Sequence, residues 1–125
     1  MKFKKVQRPN PQNLAAPKKW FASPVNAGTL TLKEFAEKIA GRSSLTKGDI
    51  LNVLSNFLDE IPLYLEIGMS VQLGDFGTLR LSLASEGVEN PDDFTVANIT
   101  GVKIIFTPSS DLKKALSNIK FEEAK

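Results

Sequence analysis

The sequence contains neither cysteine nor histidine. Their absence removes disulfides, thiol nucleophiles, imidazole acid–base groups and the usual ligands of zinc and haem. Most catalytic chemistries are thereby excluded, and no catalytic site, metal site or cofactor is expected. The adjacent carboxylates Asp92 and Asp93 are the nearest thing to a metal motif, but neighbours in a strand or turn point apart and are ordinarily solvated. Long apolar runs are missing too. No segment approaches the roughly 18 apolar residues of a membrane span, and Leu14–Ala16 is the longest apolar run before Trp20, too short for a signal peptide. A soluble cytoplasmic protein is expected, with no membrane partner and no small-molecule substrate.

Acidic residues are absent from the first 32 positions, which carry Lys2, Lys4, Lys5, Arg8, Lys18 and Lys19. The overall charge of +2 hides this, because ten of the sixteen basic and all fourteen acidic groups fall in residues 33–125, a net of −4 there. Such an arm is either an electrostatic footprint for a polyanion or a solvated terminal charge run. What remains is ordinary for a globular chain: 125 residues, 42% hydrophobic and 24% charged, enough for one core and too short for two full domains.

Residues 1–28 form a first block in which Pro9, Pro11, Pro17 and Pro24 leave no room for a helix. Alternation over Met1–Val6, and the stretch Lys19–Val25, predict two short strands flanking a proline-rich turn. Trp20 and Phe21 either stack on bases or divide between core and surface, as adjacent aromatics in a strand usually do.

From Gly28 the apolar period becomes helical. Leu32, Phe35, Ala36, Ile39 and Ala40 share one face of a short helix, with Thr31 and Glu34 at capping-box spacing and Gly41 as the stop. Thr46 and Asp49 open a second, longer helix whose stripe is Ile50, Leu54, Phe57, Leu58, Ile61 and Leu65. Pro62 predicts a kink or an early end. A hairpin follows, with Val71 and Leu73, a turn over Gly74–Gly77, then Leu79, Leu81 and Leu83 alternating with Arg80, Ser82 and Ala84. Ser85–Asp93 predicts an exposed loop or arm tip, Phe94–Ile99 another alternating segment, and Val102–Phe106 a returning strand ended by Pro108. Ser109 or Ser110 then caps a short helix with Leu112, Leu116 and Ile119 on its apolar face.

This order, with its local motifs, resembles the HU and integration host factor family of bacterial histone-like proteins. The similarity covers about residues 29–119. It rests on Ser44-Leu45-Thr46-Lys47-Gly48-Asp49 between the helices, on Val71-Gln72-Leu73-Gly74-Asp75-Phe76-Gly77-Thr78-Leu79, and on Phe106-Thr107-Pro108 leading to Leu112-Lys113. The N-terminal block, with Arg8-Pro9-Asn10-Pro11 and Pro17-Lys18-Lys19-Trp20, looks like the extension of longer HU-related chains common among Bacteroidetes. The resemblance implies an α+β fold: an intertwined dimer with a helical base, a β-saddle and two protruding arms. The expected division is a basic extension over 1–28, an HU-like domain over 29–121 and a tail over 122–125. The wide apolar stripe independently favours a dimer, since a chain of this size gains by burying it against a copy. The expected dimer core is Ile50, Leu54, Phe57, Leu58, Ile61, Leu65, Phe76 and Phe106. The alternative is a monomer whose N-terminal strands close the seam.

In that family, basic groups on the arms and saddle neutralise phosphates, and a proline at each arm tip wedges between base steps. Asn90-Pro91 looks like such a tip, and Asn-Pro is also an ordinary turn dipeptide. The surroundings depart from the pattern. Ser82 and Ala84 stand where arginines would follow the hairpin, Thr107 and Ser110 where basic residues would flank Phe106 and Pro108, and the tip carries Glu86, Glu89, Asp92 and Asp93. No basic residue lies between Arg80 and Lys103. A compensating set is available in Lys2, Lys4, Lys5, Arg8, Lys18 and Lys19, with Arg80, Lys103, Lys113 and Lys114. The expected function is weakly sequence-specific architectural binding and bending of double-stranded DNA by a nucleoid homodimer. The alternative is an HU-fold dimer serving as a protein-interaction or scaffold module.

Overall fold

A computed structural model describes residues 1–125. The chain divides into two compact units, one made of Met1–Thr31 with Ser117–Lys125 and the other of Leu32–Leu116. These boundaries fall after Thr31 and Leu116, where the expected ones followed residues 28 and 121.

In the larger unit, α1 (Leu32–Ala40) ends as Gly41 donates its N–H to the Glu37 carbonyl. The helix α2 (Lys47–Glu66) starts with the expected capping box, in which the Thr46 hydroxyl accepts from the Asp49 N–H at 3.2 Å and the Asp49 carboxylate accepts from the Thr46 N–H at 3.4 Å. Two free backbone donors of the first turn are thus satisfied by side chains. The Lys47 ammonium lies 2.5 Å from the Glu37 carboxylate, joining α1 to the start of α2. That hydrogen bond, with the lysine's charge, lowers the Glu37 pKa. Pro62 does not end α2 early. Its missing N–H removes one helical bond, the one to the Leu58 carbonyl, and the helix continues to Glu66 before Gly68 turns the chain at φ 90°.

The hairpin β3 (Val71–Gln72) and β4 (Gly77–Ser85) joins β5 (Ile99–Pro108) in an antiparallel sheet of order β3-β4-β5. Between β4 and β5, Phe94–Ile99 departs from the expected alternation. Pro91–Asp93 and Val96–Asn98 are single 3₁₀ turns, the second closed by a capping box between Thr95 and Asn98. The Asn98 side chain accepts from the Thr95 N–H at 2.8 Å, a local bond that competes with strand pairing. After β5, Ser109 caps α3 (Ser110–Ala115), accepting from the Leu112 N–H at 3.0 Å while its hydroxyl donates to the Asp75 carbonyl in the β3–β4 turn. Ile119, expected on this helix, lies beyond its end and in the other unit.

The smaller unit is a sheet of order β2-β1-β6, from β1 (Lys2–Arg8), β2 (Lys19–Pro24) and β6 (Glu122–Glu123). The expected tail over 122–125 instead supplies this third strand, parallel to β1, with the Ala124 N–H donating to the Phe3 carbonyl at 2.8 Å. The turn between β1 and β2 is held by Asn10 and Asn13, whose side chains accept from the Gln12 and Ala15 N–H groups.

Candidate nucleic-acid interface

Strand register sorts the larger unit's sheet into two faces, because side chains alternate along a strand and directly paired residues project to the same side. One face is apolar throughout: Leu79 pairs with Phe106, Leu81 with Ile104, and Leu83 with Val102, with Val71 beside Leu79. The other carries Arg80, Ser82 and Thr78 from β4, Lys103 and Thr107 from β5, and Gln72 from β3, with Ile105 and Ala84 as its apolar members. Lys103 pairs with Ser82 and Arg80 with Ile105, which makes the two cations diagonal neighbours. No acidic residue shares this face. It offers two positive charges within a field of hydroxyl and amide donors, a set that meets phosphate and sugar oxygens. Ser82 and Thr107, noted in the sequence for standing where cations were expected, belong to this set. Period-two alternation could have identified them.

The other site residues are spread more widely. Asn90 precedes the turn that Pro91 opens, at the exposed end of the β4–β5 connection, together with Glu89, Asp92 and Asp93. Proline suits that first position because its fixed φ matches the turn and its missing N–H is not needed. Lys113 and Lys114 lie in the last turn of α3, where positive charge complements the helix dipole.

In the smaller unit, Lys4 pairs with Ser23, Val6 with Phe21, and Arg8 with Lys19, so Lys4, Arg8, Lys19 and Phe21 share a face with Lys2. Lys5 lies on the opposite face, 3.4 Å from Glu123, where Gln7 pairs with Trp20. Lys18 is exposed just before β2. Trp20 and Phe21 are 65% and 47% exposed, on opposite faces, so neither is the core residue that one of the two readings required. The Arg8 guanidinium stands over the Phe21 ring at 5.9 Å.

Packing within the larger unit leaves its apolar surface largely uncovered. Only Ala36, Ile50 and Leu65 are buried hydrophobics, so Ile50 and Leu65 are covered within the chain itself. Leu54 and Ile61 are half-buried, and Leu58, Phe57, Phe76 and Phe106 remain exposed, Phe57 at 48% and Phe76 at 52%. An open groove of about 710 Å³ runs between Phe35 and Ile39 of α1, Phe57 and Ile61 of α2, and Phe76 and Leu79 of the sheet region. Phe76 and Phe106 pack as a tilted pair with ring centres 5.2 Å apart.

The family model described as an HU domain fused to a winged helix-turn-helix, an Ig domain or a glycine-rich motif matches residues 1–123. The chain belongs to the HU and integration host factor family. Its members are architectural DNA-binding proteins, not enzymes. Integration host factor subunit alpha of Haemophilus influenzae is 32% identical over 94 residues, covering 74% of this chain and 98% of that protein. The same subunit from Vibrio cholerae is 32% identical over 96 residues, covering 75% of this chain and 98% of the relative. Among solved structures, a protein from Bacteroides vulgatus assigned as a bacterial DNA binder aligns with a TM-score of 0.62 at 11% identity. That alignment covers 97% of this chain, which spans only 47% of the longer protein. Anabaena HU, solved with DNA, aligns with a TM-score of 0.50 at 19% identity over 71% of this chain and 98% of HU. At these identities the two structures establish likeness of fold. No helix of the protein is long and apolar enough to cross a membrane.

Proposed function

We propose that this chain is a nucleoid-associated architectural protein that binds double-stranded DNA with weak sequence specificity and bends it, acting as a homodimer. The observation that carries the reading is the mainly polar sheet face, on which Arg80 and Lys103 stand among Thr78, Ser82, Thr107 and Gln72, beside Ile105 and without an acid. These groups suit phosphate and sugar, the contacts that position a duplex without reading its bases. Lys113 and Lys114 add two cations in the same unit, and the smaller unit brings cations of its own in Lys2, Lys4, Lys5 and Lys18. Bending is assigned to the exposed Asn90-Pro91 end of the β4–β5 connection, where Pro91 and the neighbouring Val88 and Phe94 are the apolar groups available to wedge between base steps. The four carboxylates of that connection repel phosphate, which weakens the grip there.

Dimerisation is supported by the uncovered groove and by Phe57, Leu58, Phe76 and Phe106 at the surface of a unit with only three buried hydrophobic residues. A patch of that size on a soluble domain marks an interface. The alignment with the Bacteroides vulgatus protein over 97% of this chain supports placing it with the extended members of the family. The acidic connection favours one other reading, a scaffold that keeps the dimer and no longer grips DNA.

A duplex titration at several salt concentrations separates the two. Each phosphate neutralised contributes about 0.9 to the slope of log affinity against log salt. Replacing Arg80 and Lys103 by alanine removes two cations per protomer and is expected to reduce the slope by roughly 3 to 4 per dimer. An unchanged slope in the double variant would remove the sheet face from the interface. Absence of duplex binding at low salt would favour the scaffold.

A further inference from the structure

The turn end of the smaller unit's sheet forms a concavity of about 470 Å³. Arg8, Lys19 and Phe21 line it together with Pro9, Pro11 and Pro17. Two cations stand beside an aromatic ring on one face of the sheet, as the pairing of Arg8 with Lys19 and of Val6 with Phe21 requires. The prolines give rigid apolar walls, and the asparagine-held turn fixes them relative to the strands. Duplex DNA presents phosphates outward and keeps its bases stacked inside, so it has nothing to offer apolar walls of this kind. An unpaired nucleotide presents both a flat base and an adjacent phosphate. The volume lies within the roughly 300–1,000 Å³ typical of small-ligand clefts, larger than a phosphate alone needs.

We propose that this concavity binds an unpaired nucleotide of single-stranded DNA, with the base against Phe21 and the proline walls and the phosphate taken by Arg8 and Lys19. The proposal rests on the reading of the chain as a DNA binder and adds a second, chemically distinct site to it. At 5.9 Å the Arg8 guanidinium is at the outer limit of attraction to the Phe21 ring, so transferring it to a phosphate sacrifices little. Lys5 and Trp20, on the opposite face, take no part.

The experiment uses the full chain and two fluorescent ligands, an oligothymidylate of about 15 nucleotides and a random-sequence duplex, titrated by anisotropy at one salt concentration. Phe21→Ala is expected to weaken oligothymidylate binding by about 5- to 140-fold, the range set by loss of one stacked base, and to leave duplex affinity unchanged. Phe21→Leu, which keeps an apolar strand residue but removes the ring, is expected to lose oligothymidylate binding in the same direction. Trp20→Ala on the opposite face is expected to change neither titration. Unaltered duplex binding shows that the larger unit is folded, and in the Phe21 variants an unchanged emission of Trp20, the single tryptophan and a member of β2, shows that the smaller unit is. The proposal is overturned if the native chain does not bind oligothymidylate, if Phe21→Ala leaves that binding intact, or if it weakens both ligands equally. The native duplex titration reports separately on the DNA-binding reading itself.

Discussion

At the scale of single residues, the tightest constraint is Gly77. It opens β4 at φ 159°, and a β-carbon there would lie 2.6 Å from the Thr107 carbonyl oxygen and 2.7 Å from Cζ of the Phe106 ring. The ring cannot retreat freely, because it packs against Phe76, and the carbonyl belongs to a paired strand. Gly77→Ala is therefore expected to cost about 1–3 kcal/mol through overpacking, measured as a lower midpoint in thermal or urea unfolding. Gly74, at φ 57° with open space around its α-carbon, is constrained by backbone conformation alone. Ser109 shows how a single residue serves two ends: it caps α3 and anchors the β3–β4 turn through the Asp75 carbonyl. The sequence offered Ser109 or Ser110 as the cap and the structure uses Ser109, whose bond to Asp75, distant in sequence, local pattern does not show.

At the scale of elements, the helices and strands follow local signals closely where those signals are complete. The capping box at Thr46 and Asp49 stands where their spacing puts it, and Thr46→Ala is expected to cost about 1 kcal/mol of stability, read from chemical denaturation with an unchanged m-value. Alternation over Leu79–Leu83 was legible, and it separates the apolar sheet face from the one bearing Arg80 and Lys103. The segment Phe94–Ile99 misled because its period of two is too short to outweigh the hydrogen bonds between Thr95 and Asn98. The C-terminal residues misled for a different reason. Glu122 and Glu123 have no apolar pattern of their own and become a strand only because β1 offers an unpaired edge.

At the scale of the molecule, the uncovered groove ties stability to association. If the dimer is the folded species, its unfolding midpoint must rise with protein concentration, by about 1.4 kcal/mol of apparent stability for each tenfold increase. Calorimetry over a hundredfold concentration range checks this, and sedimentation equilibrium is expected to give twice the chain mass. A concentration-independent midpoint with a monomeric mass would rule the dimer out. The sequence alone determined the two N-terminal helices, the β3–β4 hairpin and the returning strand β5, the family resemblance, and the concentration of positive charge before residue 33, because each depends on neighbours in the chain. Tertiary structure decided the rest. It joined the two ends of the chain in one sheet, sorted Lys4, Arg8, Lys19 and Phe21 onto one face and Lys5 and Trp20 onto the other, and left the helical stripe open on one side. Those outcomes depend on strand register and on contacts between residues far apart in sequence, and local patterning of charge and hydrophobicity carries no record of either.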